Sequence, residues 1–252
     1  MRHAPWLLSV LGATLVFALA GCGDGNSANT AGGTQRYVVV SGGTSGVYYP
    51  TATAITRLAG RVDPNLVIDV QTSGGSVANA RKLGQGNAHL AMMQNDIAAY
   101  ARSGQEMFDE PIDTIVGVAA LYPEHIQLVA HADSGVRRIA DLRGKRVAIG
   151  DIGSGTEANA RQILRAHGLS VDDLGKVERL TATESRQYLQ DRRIDVAFFT
   201  FGVGTAAIQD LARNSDIRLV PIDGVQRRTL IDQHGFYRAA VVPAGAYEGL
   251  DT

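Results

Sequence analysis

The chain has 252 residues, 45% of them hydrophobic, with 24 Lys+Arg against 25 Asp+Glu. That length supports one large domain or two modest lobes, each with its own core. The near-neutral balance, without a basic block or stripe, argues against a nucleic-acid partner, and a single cysteine excludes an internal disulfide.

Arg2 and His3 precede an apolar run from Pro5 to Ala20 that is short for a membrane span. The run ends in Leu19-Ala20-Gly21-Cys22, and Cys22 is the sole cysteine. This pattern resembles a bacterial lipobox, so residues 1–21 are expected to be a signal peptide and Cys22 a lipidated first residue. An ordinary cleaved leader with an incidental cysteine is the plainer alternative. Residues 22–36 are polar and Gly/Ser-rich and read as a flexible tether. A lipid and a tether would hold a domain outside the cytoplasm at a membrane surface.

Tyr37–Val40 is an apolar strand, followed by a helix with Pro50 in its first turn and Ala54, Ile55 and Leu58 on its apolar face, ended by Gly60. Leu66–Val70 is a strand. Ser76 caps a helix carrying Val77, Ala80 and Leu83. His89–Met93 is a strand with His89 as a core or interface residue, and Asp96–Ala101 opens a helix. Ile115–Ala120 and Ile126–Ala130 are strands. Lys145–Ile149 is a strand leading through "GDIGSGT" into a helix over 157–167. Val177–Thr181, Ile194–Thr200 and Ile217–Pro221 are strands, and 184–190 and 206–212 are helices. Residues 225–234 suggest a helix and Tyr237–Val242 a final strand. Strands alternating with helices imply a mostly parallel α/β sheet.

"YVVVSGGTSG" before one helix matches "KRVAIGDIGSGT" before another, and "GQGNAHLAMMQND" matches "QDRRIDVAFFTFG". This weak repeat suggests two similar lobes. In open α/β sheets ligands gather beyond the carboxyl ends of strands, where all four stretches place their unusual residues. The Gly/Ser/Thr loops open helices, whose unsatisfied N–H groups attract an anion without a lysine. Thr44, Ser45 and Gly46 are therefore candidates for one wall of a site, and Ser154, Gly155 and Thr156 for the other. Simple helix capping would use the same residue types. Tyr48 and Gln94 add polar tips at strand exits, whereas Tyr49 and Phe199 fit core packing as well as ligand contact.

Neither loop has the spacing of a P-loop or a dinucleotide fingerprint. Gly74-Gly75-Ser76-Val77-Ala78 lacks the last glycine of a nucleophile elbow, and no motif links a histidine to a serine. There is no HExxH, CxxC or EF-hand pattern. No catalytic residue, metal or cofactor is expected.

"GTSGVYYPTATAITRLA", "VQTSGGSVANARKLGQGNAHLAMMQNDIAAYA", "LYPEHIQLVAHADSGVRRIADLRGKRVAIGDIGSGTEANARQIL", "DVAFFTFGVGTAAIQDLA" and "DIRLVPID" resemble the TAXI (TRAP-associated extracytoplasmic immunogenic) solute-binding proteins of TRAP transporters. The resemblance covers about Tyr37 to Tyr247. It implies a two-lobed type II periplasmic-binding-protein (Venus-flytrap) fold, an extracytoplasmic place, and capture of a small carboxylated solute, a glutamate-like amino acid or a dicarboxylate. The solute would pass to TRAP-type permease subunits driven by an ion gradient. By motif the implied ligand contacts are Thr44, Gly46, Tyr48, Ser73, Ser76, Gln94, Ser154, Gly155, Thr156 and Gly202. The expected lobes are 37–131 and 132–240. Residues 241–252 would begin a return to the first lobe, since relatives run on beyond such a segment and this chain is expected to be truncated. Many relatives carry a plain signal peptide, so the lipobox is a departure that suggests tethering. The rivals are an ABC-importer binding protein, a ligand-sensing lipoprotein of the same fold, and, less well supported, a serine hydrolase using Ser76 or Ser154.

Overall fold

The computed structural model describes residues 34–44 and 46–250; the leader, Cys22 and Ser45 lie outside the described residues. Within them, two sheets are formed. In the first, β1 (Gln35–Val40) runs parallel between β2 (Leu66–Gln71) and β3 (Leu90–Ala91). Helix α1 (Tyr48–Val62) connects β1 to β2, α2 (Ser76–Gly84) connects β2 to β3, and α3 (Asn95–Ser103) follows β3.

The second sheet has the order β6-β5-β7-β4-β8. Its members are β4 (His125–His131), β5 (Arg146–Ala148), β6 (Lys176–Glu178), β7 (Val196–Phe201) and β8 (Ile217–Val220). Strands β5, β6 and β7 are parallel, and β4 runs antiparallel to both β7 and β8. The helices are α4 (Gly155–Ala166), α5 (Ala182–Gln190), α6 (Ala206–Asn214) and α7 (Gly224–Gln233).

Successive side chains of a strand point to opposite faces, and the second sheet uses both. Leu128, Ala130, Val147, Val196 and Phe198 enter one buried cluster with α4 and α7. Val129, Ala148, Ala197 and Phe199 enter another with α5 and α6. That is why "VAFFTF" is a continuous apolar run: a central strand covered on both sides has no solvent face to make polar. Local signals set the helix starts. Ser154 Oγ accepts the Glu157 N–H, and Thr181 with Glu184 forms a reciprocal capping box.

Several expectations differ from the structure. Gln35 and Arg36, assigned to the tether, begin β1, because their backbone pairs with Leu66 and Val67. Strand β4, grouped with the first lobe, completes the second sheet, so the expected lobe division at residue 131 does not follow the strand pairing. Tyr247 and Leu250, expected to begin a return to the first lobe, are buried in the second sheet's core. No strand forms at Ile115–Ala120: Ile115 packs under α3, while Val116 and Val118 are 73% and 82% exposed. Tyr237–Val242 is likewise irregular. Helix α1 continues through Gly60 to Val62, and it buries Ala52 rather than the predicted Ala54, Ile55 and Leu58 face. His89 is exposed, and its Nδ1 accepts the Val38 N–H at the margin of the first sheet.

Candidate ligand cleft between the two sheets

The carboxyl ends of β1, β3, β5, β6 and β7 open onto one cavity of about 150 Å³. One wall comes from the first lobe: Gly42, Gly43, Gly46, Tyr48, Ser73, Ser76 and Gln94. The other comes from the second: Asp151, Ser154, Gly155, Thr156, Thr181, Ser185 and Thr200. Phe201 supplies partly exposed apolar surface, and the buried Phe198 and Phe199 close the cavity floor. Eight of the ten expected contact residues therefore line one space. Thr44 and Gly202 do not. Thr44 is exposed in the loop before α1, and Gly202 lies one residue beyond the lining Phe201.

Two glycines are dictated by close approach. At Gly155 a Cβ would lie 1.3 Å from Gln94 Oε1, so only glycine lets the Gln94 amide rest on the first turn of α4. At Gly150 the backbone has φ +102°, and a Cβ would lie 2.8 Å from the Glu157 nitrogen. This is a tight strand-to-helix turn that no side chain fits.

The two walls touch directly. The Val77 and Ala78 N–H groups, from the first turn of α2, both donate to the Gly153 carbonyl at 3.1 Å. The opening donors of α2 thus face protein from the other lobe, not open solvent. Ser73 Oγ donates to the Ser41 carbonyl and accepts the Gly75 N–H. Ser76 Oγ accepts the Gln94 backbone N–H at 3.1 Å. Of the expected anion donors, α4 keeps its first turn on the cavity wall at Gly155 and Thr156, although Ser154 Oγ is engaged as its cap.

Behind the cavity lies a buried polar network between the lobes. Gln94 Nε2 donates to Asn159 Oδ1 at 2.7 Å, and Thr200 Oγ1 donates to the same oxygen at 3.2 Å. Asn159 Nδ2 donates to Asp96 Oδ2 at 2.6 Å and to Tyr237 Oη at 2.9 Å. Gln162 Nε2 donates to Tyr100 Oη at 2.8 Å. Burial pushes the Asp96 carboxyl above its ordinary value, against the hydrogen bonds from Asn159 and the backbone. Asn159 is fully buried, and both ends of its amide are satisfied, as a buried polar group requires.

Glu124 was not anticipated. Its Oε2 accepts the Tyr48 hydroxyl at 2.8 Å, and the residue lines the cavity. Burial, with a further contribution from Asp96, pushes its carboxyl up to about 7 despite the Tyr48 hydrogen bond. Burial and the Glu124 charge together hold the Tyr48 phenol well above its ordinary value. Sequence reasoning missed Glu124 because it looked only at the carboxyl ends of strands. Strand β4 is reversed, with His125 paired to Phe201, so its amino end arrives beside the carboxyl end of β7. The signal was an acidic residue at the mouth of the apolar "HIQLVAH" strand.

Comparison with known proteins agrees with this architecture. Residues 39–252 match the NMT1-like family. The arginine-binding extracellular protein ArtP of Bacillus subtilis (strain 168) is 24% identical over 192 residues, covering 76% of this chain and 71% of ArtP. The alkanesulfonate-binding protein SsuA from Xanthomonas axonopodis pv. citri, solved bound to MOPS, superposes with a TM-score of 0.51 at 18% identity. That match covers 76% of this chain, which spans 62% of SsuA. An ancestral arginine-binding protein bound to arginine gives a TM-score of 0.50 at 16% identity, over 73% of this chain and 78% of that one. These likenesses establish a two-lobed type II periplasmic-binding-protein fold.

Proposed function

From the premise that this chain belongs to the NMT1-like family, we propose that it is an extracytoplasmic receptor, not an enzyme, for a small carboxylated solute. The observation that carries this is a single cavity walled by both lobes, with small hydroxyl residues and the first turn of α4 on it. A carboxylate between the lobes would meet Gly155 and Thr156 at the positive end of α4, with the Ser185 hydroxyl as a further donor on the cavity wall. The phenylalanines exclude water and strengthen those bonds. Because both walls are needed, bound solute favours the closed arrangement of the lobes. The serines have structural duties: Ser154 Oγ caps α4, and Ser76 Oγ takes the Gln94 N–H.

Anchoring through a lipid on Cys22 and delivery to a TRAP-type permease complete the proposal. The arginine-binding comparators favour an amino acid as the carboxylated solute. The test is calorimetry and thermal shift of the chain lacking residues 1–22 against amino acids and dicarboxylates. One-to-one binding that is lost in Ser154→Ala plus Thr156→Ala supports the receptor. A folded protein that answers to none of them overturns it. Reconstituted uptake that runs on an ion gradient without ATP supports the TRAP assignment, and ATP-dependent uptake replaces it with an ABC importer.

A further inference from the structure

The cavity contains two carboxyl groups and no cation. Among the described residues, Glu124 and Asp151 line it, and no lysine, arginine or histidine does. Glu124 carries one hydrogen bond among the described residues, from the Tyr48 hydroxyl to Oε2. The Tyr48 hydroxyl also lies 3.3 Å from Ser76 Oγ, so the donor facing Glu124 is fixed between the two first-lobe helices α1 and α2. Glu124 is half-buried, and a partly desolvated carboxylate without a positive partner gains from one.

We propose that Glu124 is the subsite for a cationic group on the solute, so that the captured molecule is zwitterionic, with an ammonium beside Glu124 and its carboxylate toward α4. This rests on the receptor function proposed above and selects among its candidate solutes: amino acids over dicarboxylates. A second carboxylate in this cavity would face Glu124 and Asp151 with no compensating charge.

The titratable groups acting on Glu124 or acted on by it are Tyr48 on α1, Asp96 on α3 and Tyr122 two residues before it, and Asp151 lines the same cavity. Tyr48, Asp96 and Tyr122 are held above their ordinary values chiefly by burial. Glu124 itself, pushed up to about 7, holds a proton for much of the time near neutrality. An arriving ammonium ionises it, so capture releases a proton and tightens as pH rises from 6 to 8. A dicarboxylate would do the opposite, taking up a proton to keep Glu124 neutral and weakening over the same range.

The experiment is isothermal titration of the full chain with L-glutamine, L-leucine and L-glutamate, each paired with its 2-hydroxy acid. Titrations are repeated at pH 6, 7 and 8 and in two buffers of different ionisation enthalpy. An amino acid that binds at least about tenfold tighter than its hydroxy acid, with proton release, supports the inference; about tenfold is one close, partly desolvated charge pair. Glu124→Gln should level the pair and abolish the proton release. A hydroxy acid or dicarboxylate that binds equally well or better, or a Glu124→Gln protein that keeps the amino preference, overturns the cationic subsite and leaves the carboxylate receptor standing. If a folded wild-type chain binds nothing in either series, the receptor function falls and this inference with it. Should Glu124→Gln fail to fold, the proton count and amino preference of the wild-type protein still decide the matter.

Discussion

The two sheets of this molecule are covered very differently. The second is packed on both faces, with Leu164, Phe198 and Val147 in one fully buried cluster and Phe199, Ile208 and Leu211 in the other. The first buries Val39, Ala52 and Met92 beneath α1, while Ile55 and Leu58 on the outer side of that helix are 41% and 57% exposed. Its other cluster, under α2 and α3, includes Ala158 from α4 of the second lobe. The second lobe thus generates its own core, whereas the first is held partly through its neighbour. The polar network around Asn159 belongs to that borrowed support. A receptor that closes on a solute needs one rigid half and contacts between halves that can be exchanged for ligand contacts.

Four changes would break or sharpen that contrast. The largest effect is expected from Leu164→Ala, which empties a site in the self-sufficient core. It should cost roughly 2–5 kcal/mol in denaturant unfolding. A loss below 1 kcal/mol would mean that the second lobe is not the stable half.

Next, Asn159→Ala leaves Asp96, Gln94 and Tyr237 short of partners between the lobes. It should cost about 1–3 kcal/mol and raise the hydrogen-exchange rate of α3 more than that of β7. Uniform acceleration of exchange would deny that the network is specifically an inter-lobe tie.

The third change acts through pH. Glu124 holds its proton more tightly in the folded chain than in the unfolded one, its carboxyl being raised from 4.5 to about 7. The folded state therefore binds more protons over that interval, and this group's contribution to stability is present at low pH and declines as pH rises through about 7. Glu124→Gln removes the decline. At pH 8 the ligand-free variant should exceed the wild type by about 2–3 kcal/mol, with near equality at pH 4.5. Thermal melts across that range measure it, and parallel wild-type and variant curves would contradict it.

The smallest effect is expected from Leu58→Ala on the exposed side of α1, within about 0.5 kcal/mol. A cost of 2 kcal/mol or more would show that α1 is covered by something in solution, and the first sheet would then be less bare than it looks.

Much of the architecture was legible in the residues. Period-two and continuous apolar runs marked six of the eight strands among the described residues closely, because burial against a sheet face leaves a direct mark on composition. Strand β3 lies inside its predicted segment, and β6 ends at Glu178, short of the predicted Thr181, which caps α5 instead. The two Gly/Ser/Thr loops pointed to the cleft for a similarly local reason: a tight strand-to-helix turn such as that at Gly150 excludes side chains. Apolar residues alone misled at Ile115–Ala120 and at Tyr237–Val242. Those segments have strand-like composition but join neither sheet, and backbone pairing is a property of neighbours that composition does not encode.

What only the tertiary structure decided is direction and adjacency. The sequence held "YPEH", but the reversal of β4 is what carries Glu124 to the Tyr48 hydroxyl. It held a glycine at 155, but Gln94 arriving from another lobe, 61 positions away in the chain, is what makes that glycine necessary. By itself, then, the sequence determined most of the segments that become strands and helices, and the turns that open a cleft, since these follow from local sterics and burial. The charge of that cleft was settled by long-range packing, because an unpaired carboxylate is defined by what fails to stand opposite it.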